Sequence, residues 1–217
     1  MNIEQARFNM IEQQIRPWDV LDQGVLSLLA VVKREDFVPA QWQAMAFVDA
    51  EVPLPEGQCM LAPRVEARLL QELRVQRHER VLEVGAGSGY MAALLGYKAR
   101  QVISLECSPV LARLAEGNLR AAAAANVQVR CADGASGLPA EAPFDAIVLS
   151  GSVAMVPQAL LQQLSVGGRL IAIVVDEPVM RARLFTRVDD AAWSQVDLFD
   201  TVAQRLSGFD EGERFVF

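Results

Sequence analysis

A chain of 217 residues, 52% of them hydrophobic, can bury one substantial core with some decoration. Its net charge of −7 argues against nucleic acid as the main partner, because phosphate binding needs a basic face. No apolar run approaches the ~20 residues of a membrane span, and Met1-Asn2-Ile3-Glu4-Gln5 lacks the basic start of a signal peptide, so a cytoplasmic protein is expected.

Cys59, Cys107 and Cys131 are odd in number and have no metal-type spacing, so reduced thiols are expected and no metal site. His78 is the only histidine, which removes catalytic triads and histidine metal clusters. Any chemistry must proceed without an imidazole base.

In chain order, Ile3, Ala6, Met10, Ile11 and Ile15 predict a helix over residues 2–16, stopped by Pro17. Trp18, in the turn that follows, is expected to be a packing anchor. A second helical run covers 21–32, and a short helix surrounds Trp42. Residues 46–63, with Pro53, Pro55, Gly57 and Pro63, predict an ordered loop lying against the domain. Pro63 opens a helix running to Leu73. From residue 79 strands and helices alternate. Strands are predicted near 80–84, 101–105, 127–131, 144–149 and 168–175, with helices near 89–98, 108–124 and 157–164. This is an α/β pattern, a doubly wound, mostly parallel sheet with helices on both faces. Beyond Glu177, β runs at 184–188 and 196–199, and a candidate at Phe215–Phe217, suit an antiparallel C-terminal pair. Residues 1–75 are expected to be a helical extension capping the core of residues 76–217.

The run Val81-Leu82-Glu83-Val84-Gly85-Ala86-Gly87-Ser88-Gly89-Tyr90 reads as strand, tight turn and helix start. Backbone N–H groups at such a helix start point at a ligand. A dinucleotide fingerprint would put its third glycine where Tyr90 stands, and a tyrosine there crowds a pyrophosphate. The form E-x-G-x-G-x-G instead resembles motif I of the class I S-adenosylmethionine methyltransferases. The next strand ends in Glu106, close to the spacing of about 20 residues used for ribose recognition. Glu83, Gly85, Ala86, Gly87, Ser88, Gly89 and Tyr90, with Glu106 and Cys107, are therefore the candidate cofactor-binding residues. Asp133 and Gly134, after the third strand, are candidates for the adenine amine. Asp145 begins its strand on the far edge and is expected to be structural. Ser150 and Ser152, at the end of the fourth strand, are weak candidates for substrate contact.

The whole chain resembles the protein-L-isoaspartate O-methyltransferase family. The resemblance rests on residues 10–16 (Met-Ile-Glu-Gln-Gln-Ile-Arg), Phe37-Val38-Pro39, Ala46-Phe47-Val48-Asp49, Pro53-Leu54-Pro55 and Gly57-Gln58. It continues through Val81–Tyr90, Asp133-Gly134, Ala142–Asp145, Val156-Pro157 and Gly167-Gly168. It implies S-adenosyl-L-methionine as cofactor and protein or peptide substrates carrying isoaspartyl residues. The transfer is an in-line displacement by a carboxylate that is already ionised, which needs alignment and not a base. One departure stands out. After Gly-Gln the family carries Thr-Ile-Ser-Gln-Pro, with the serine at its active site, whereas this chain reads Cys59-Met60-Leu61-Ala62-Pro63. Leu61 occupies the serine position, so the catalytic residue is left unassigned. Gln58, Cys59 and Leu61 are the substrate candidates in this segment. Three readings stay open: the family activity, a family methyltransferase with another acceptor, and a cofactor-binding protein without turnover.

Overall fold

The computed structural model describes residues 2–176 and 179–210, and the candidate strand Phe215–Phe217 lies outside them. The N-terminal periodicity produces α1 (Ile3–Asn9), capped by the Asn2 side chain on Gln5 N–H. The expected single helix then widens into a π-helical turn over Met10–Ile15. A π turn bonds residues five apart, which lets Met10 and Ile15 both face the core. α2 (Gln23–Val31) and two 3-10 turns follow, Arg34–Phe37 and Ala40–Met45. Trp18 is not a buried anchor. It is half-exposed, with the Arg64 guanidinium 4.0 Å above its ring.

The stretch read as a loop contains a two-stranded ribbon, β1 (Val52–Pro53) against β2 (Cys59–Met60), joined through a tight turn at Pro55–Gly57. Proline and glycine concealed it, because each strand is only two residues long. α3 (Pro63–Leu73) starts at the expected proline.

Seven strands make the main sheet: β3 (Arg80–Val84), β4 (Gln101–Glu106), β5 (Val127–Cys131), β6 (Phe144–Val153), β7 (Leu164–Asp176), β8 (Val179–Asp189) and β9 (Ala192–Thr201). Their spatial order is β5-β4-β3-β6-β7-β8-β9. The first five neighbours are parallel, and β8 and β9 add antiparallel. α4 (Tyr90–Lys98), α5 (Pro109–Ala121) and α6 (Gln158–Gln162) connect the parallel strands. Strands buried on both faces explain the near-continuous apolar runs. One hydrophobic cluster includes Met10, Ile15, Val25 and Phe37 of the N-terminal segment together with Val81, Tyr90 and Leu94. As expected, Asp145 is structural, accepting the Arg80 N–H at 2.8 Å at the base of the sheet.

The chain leaves β3 towards β4 and β5, then returns to place β6 on the other side of β3. That reversal opens a crevice beyond the carboxyl ends of β3 and β6, the usual ligand position in such sheets.

Candidate functional site

A cleft of about 330 Å³ lies there, within the size range of small-molecule sites. β3 ends in the glycine turn, where Gly85 (φ +92) and Gly87 (φ +54) take left-handed conformations that no side chain tolerates well. The turn brings the Gly87 N–H to 2.9 Å from Glu106 Oε2. The other carboxylate oxygen of Glu106 accepts the Ser108 N–H at 3.0 Å. Ser108 in turn caps α5 through its hydroxyl. The acid is thus fixed at the sheet edge by two backbone donors. Oε1 also accepts the Cys107 thiol at 3.7 Å, and Oε2 keeps a lone pair for a further hydrogen bond.

Of the residues singled out from sequence, Gly85, Gly87, Glu106, Cys107, Gly134, Gln58, Cys59 and Ser150 line this cleft. Burial raises the Cys59 thiol to about 12, so it is neutral and a poor nucleophile. Burial and the Glu106 charge raise the Cys107 thiol too.

Glu83, Ala86, Ser88, Tyr90 and Leu61 lie elsewhere. They surround a second, much smaller cavity of about 20 Å³ beneath the cleft, which shares Cys59, Gly85, Gly87 and Ser150 with it. Tyr90 therefore does not project into the cofactor cleft. Its ring packs 5.4 Å from that of Phe37 and lies 5.3 Å from the Arg34 guanidinium. Its buried hydroxyl has no hydrogen-bond partner among the described residues. Gly89 is the N-cap of α4. Asp133 is exposed and sits one residue outside the lining, with Oδ1 accepting the Ala135 N–H at 3.0 Å. Ser152 is fully buried and donates to the Ala203 carbonyl at 2.8 Å. That bond occupies it in holding the segment that follows β9.

Glu83 is fully buried in the central strand. Its Oε2 accepts the Ser104 hydroxyl at 2.5 Å and its Oε1 accepts the Ser150 hydroxyl at 2.8 Å. Burial pushes this carboxyl up to about 8. Close by, Arg34 pairs with Glu66 and donates to the Leu61 carbonyl at 2.8 Å.

Sequence reasoning missed the segment after β9. Residues 203–206 run beside β6: Ser152 N–H donates to Gln204 O at 2.8 Å, and Leu206 N–H to Ser152 O at 2.9 Å. Gln204 Nε2 reaches the Gly57 carbonyl at 2.7 Å. Leu206 and Ser207 consequently line the cleft. A Cβ at Gly85 would stand 2.7 Å from Leu206 Cδ2. The sequence carries no periodic signal there. The glycine turn, the fixed acid and the cleft volume fit S-adenosyl-L-methionine: the turn would admit the close approach of its methionyl part, and Glu106 would accept ribose hydroxyls.

The model of the family described as protein-L-isoaspartate(D-aspartate) O-methyltransferase matches residues 5–202. A protein-L-isoaspartate O-methyltransferase 2 of Marinobacter nauticus is 38% identical over 97% of this chain and 96% of its own length. A protein-L-isoaspartate O-methyltransferase of Methanoculleus marisnigri is 41% identical over 77% of this chain and 76% of its own. Among solved structures, a protein-L-isoaspartate O-methyltransferase superposes with a TM-score of 0.79 and 24% identity over 93% of this chain and 66% of that one. A Plasmodium falciparum protein in complex with S-adenosyl-L-homocysteine superposes with a TM-score of 0.78 and 21% identity over 95% and 99%. S-adenosyl-L-methionine is the cofactor, and with a family model matched over nearly its whole length the chain belongs to the protein-L-isoaspartate(D-aspartate) O-methyltransferase family.

Proposed function

We propose that this enzyme methylates the free α-carboxylate of L-isoaspartyl residues in damaged proteins, giving an ester that closes to a succinimide. The observation that carries the reading is the Glu106 carboxylate held against the glycine turn in a cleft at the sheet's reversal point. That is the arrangement a ribose-containing methyl donor requires. When bound, the cofactor supplies an electrophilic sulfonium methyl. The chain's own residues supply position. Glu106 takes the ribose hydroxyls. Gly85 and Gly87 leave room for the amino-acid part. The β1–β2 ribbon and residues 204–207 wall the acceptor side and exclude water. No lining residue is a histidine, and none is needed, because the attacking carboxylate is ionised at neutral pH. Residues 1–75 act as a cap on the core of residues 76–217. Three free thiols support a reducing, cytoplasmic setting.

Leu61 and Ala62 favour a second reading, a family methyltransferase with another acceptor. Both are buried and apolar where the family places hydrogen-bonding side chains. One assay separates the two: labelled-methyl transfer to a peptide pair differing only in isoaspartate against aspartate, beside a cofactor titration. We expect transfer to the isoaspartyl peptide alone. Cofactor binding with no transfer to either peptide would sink the first reading and leave the second.

A further inference from the structure

The family's hydrogen-bonding serine is replaced by Leu61, yet a carboxylate acceptor still needs a donor beside the transferring methyl. The sheet geometry limits where that donor stands. Glu106 ends β4, the glycine turn ends β3 and Ser150 lies near the end of β6, which places Ser150 two strand spacings, roughly 10 Å, from the ribose acid. That span leaves room for ribose, sulfur and an acceptor oxygen in a row. Apart from Glu106 and its neighbours Cys107 and Ser108, the lining side chains with polar atoms are Glu56, Gln58, Cys59, Ser150 and Ser207. Ser150 alone among them is backed by a fully buried carboxyl, Glu83, 2.8 Å away. It also borders both the cleft and the small cavity under Leu61.

We propose that the Ser150 hydroxyl binds the acceptor carboxylate in place of the serine absent at position 61, and that Glu83 is the positioning residue that frees it to do so. The proposal rests on the isoaspartyl reading above. In the acid form, Glu83 Oε1 carries a proton and donates it to Ser150 Oγ, while Oε2 still accepts from Ser104. The Ser150 O–H then turns into the cleft. In the ionised form both serine hydroxyls donate to Glu83, and the cleft gains a negative charge one hydroxyl away from a carboxylate ligand.

The surroundings favour the acid form at neutral pH. Burial is the main cause and outweighs the opposing hydrogen bonds from Ser104 and Ser150, while Glu66 on α3 and Glu106 on β4 push the same way as burial. Glu66 is paired by Arg34 from the 3-10 turn below, and Tyr90 on α4 faces the small cavity through a neutral hydroxyl that burial holds above its usual range. Among the described residues no cation is bonded to Glu83, whose two oxygens accept from Ser104 and Ser150.

The test is titration of the isoaspartyl peptide into protein saturated with S-adenosyl-L-homocysteine, alongside initial rates. Ser150→Ala is expected to weaken peptide binding and raise its KM about tenfold, with cofactor affinity unchanged and kcat altered less. Ser150→Thr should restore binding. Between about pH 7 and pH 9 wild-type peptide affinity should fall about tenfold as Glu83 ionises. Glu83→Gln, which keeps a neutral donor, should abolish that fall. Thermal unfolding of each variant checks that it is folded. A wild type that methylates the isoaspartyl peptide while Ser150→Ala binds it equally well overturns the inference alone, as does a fall with pH that persists in Glu83→Gln. A wild type that neither binds nor methylates the peptide overturns the isoaspartyl reading and this inference with it.

Discussion

The Glu106 carboxylate uses one oxygen on the Gly87 N–H and the other on the Ser108 N–H, at 2.9 and 3.0 Å. Both bonds are charge-assisted and both fix the acid before any ligand arrives, so little ordering remains to be done on binding. On the proposed function, replacing it by alanine removes the acceptor of the ribose hydroxyls and releases the glycine turn together. A hydrogen bond to a charged group contributes about 1.5–3 kcal/mol, so Glu106→Ala should weaken S-adenosyl-L-homocysteine binding about 10–100-fold. Isothermal titration measures it directly. Affinity within twofold of wild type would show that the ribose is held elsewhere. Asp133→Ala is the useful contrast. That carboxylate is exposed and bonded to its own turn at Ala135 N–H, so its loss should weaken binding far less.

At the scale of elements, the approach to the site is held by one buried side chain. Arg34, fully buried on a 3-10 turn, pairs with Glu66 of α3, donates to the Leu61 carbonyl and lies beside the Tyr90 ring of α4. It thereby fixes the chain between β2 and α3 against the glycine-turn helix. Arg34→Ala would strand the Glu66 carboxylate in the core, a change that costs about 3–5 kcal/mol when one partner of a buried pair is removed. The urea midpoint should fall accordingly, and Arg34→Met with Glu66→Leu should recover most of it. Equal midpoints for the single and double variants would mean that the pair is not what holds these elements. None of this was legible in sequence. Glu66 is a polar position of an amphipathic helix and Arg34 a charged residue in a short turn, and neither carries a local sign of burial. The β3–α4–β4 unit was legible nearly to the residue, because apolar periods, glycine spacing and the acid all report the same local geometry. The ribbon at 52–60 and the segment at 203–206 were not. Their places are set by a few hydrogen bonds to distant chain, among them Gln204 to Gly57 and Ser152 to residues 203–206, which leave no period in the sequence.

At the scale of the whole molecule, Glu83 puts an ionisable group at the centre of a sheet covered on both faces, and this couples the site to global stability. Its carboxyl, ordinarily near 4.5, is raised to about 8 in the folded chain, first by burial. The folded state therefore holds this proton more tightly than the unfolded state. The resulting stabilisation is fully present below about pH 4.5 and is lost as pH rises through about 8. Across that window the unfolded chain binds about one proton fewer, so unfolding free energy should drop by about 1.4 kcal/mol per pH unit from this group. Glu66, raised to about 7 by burial against the pull of Arg34, adds a contribution of the same sign over the lower part of the range. Urea midpoints measured at about pH 5.5, 7 and 8.5 should decline steadily for the wild type. Glu83→Gln keeps the shape and a neutral donor but cannot ionise. Its midpoint should decline less steeply and exceed that of the wild type at the highest pH. Parallel declines in the two proteins would place the titrating group elsewhere. The two effects meet at the folded-state value: stability from this carboxyl declines up to about pH 8, and the neutral donor behind Ser150 is lost around and above it, so acceptor binding should fall where the stability decline levels off.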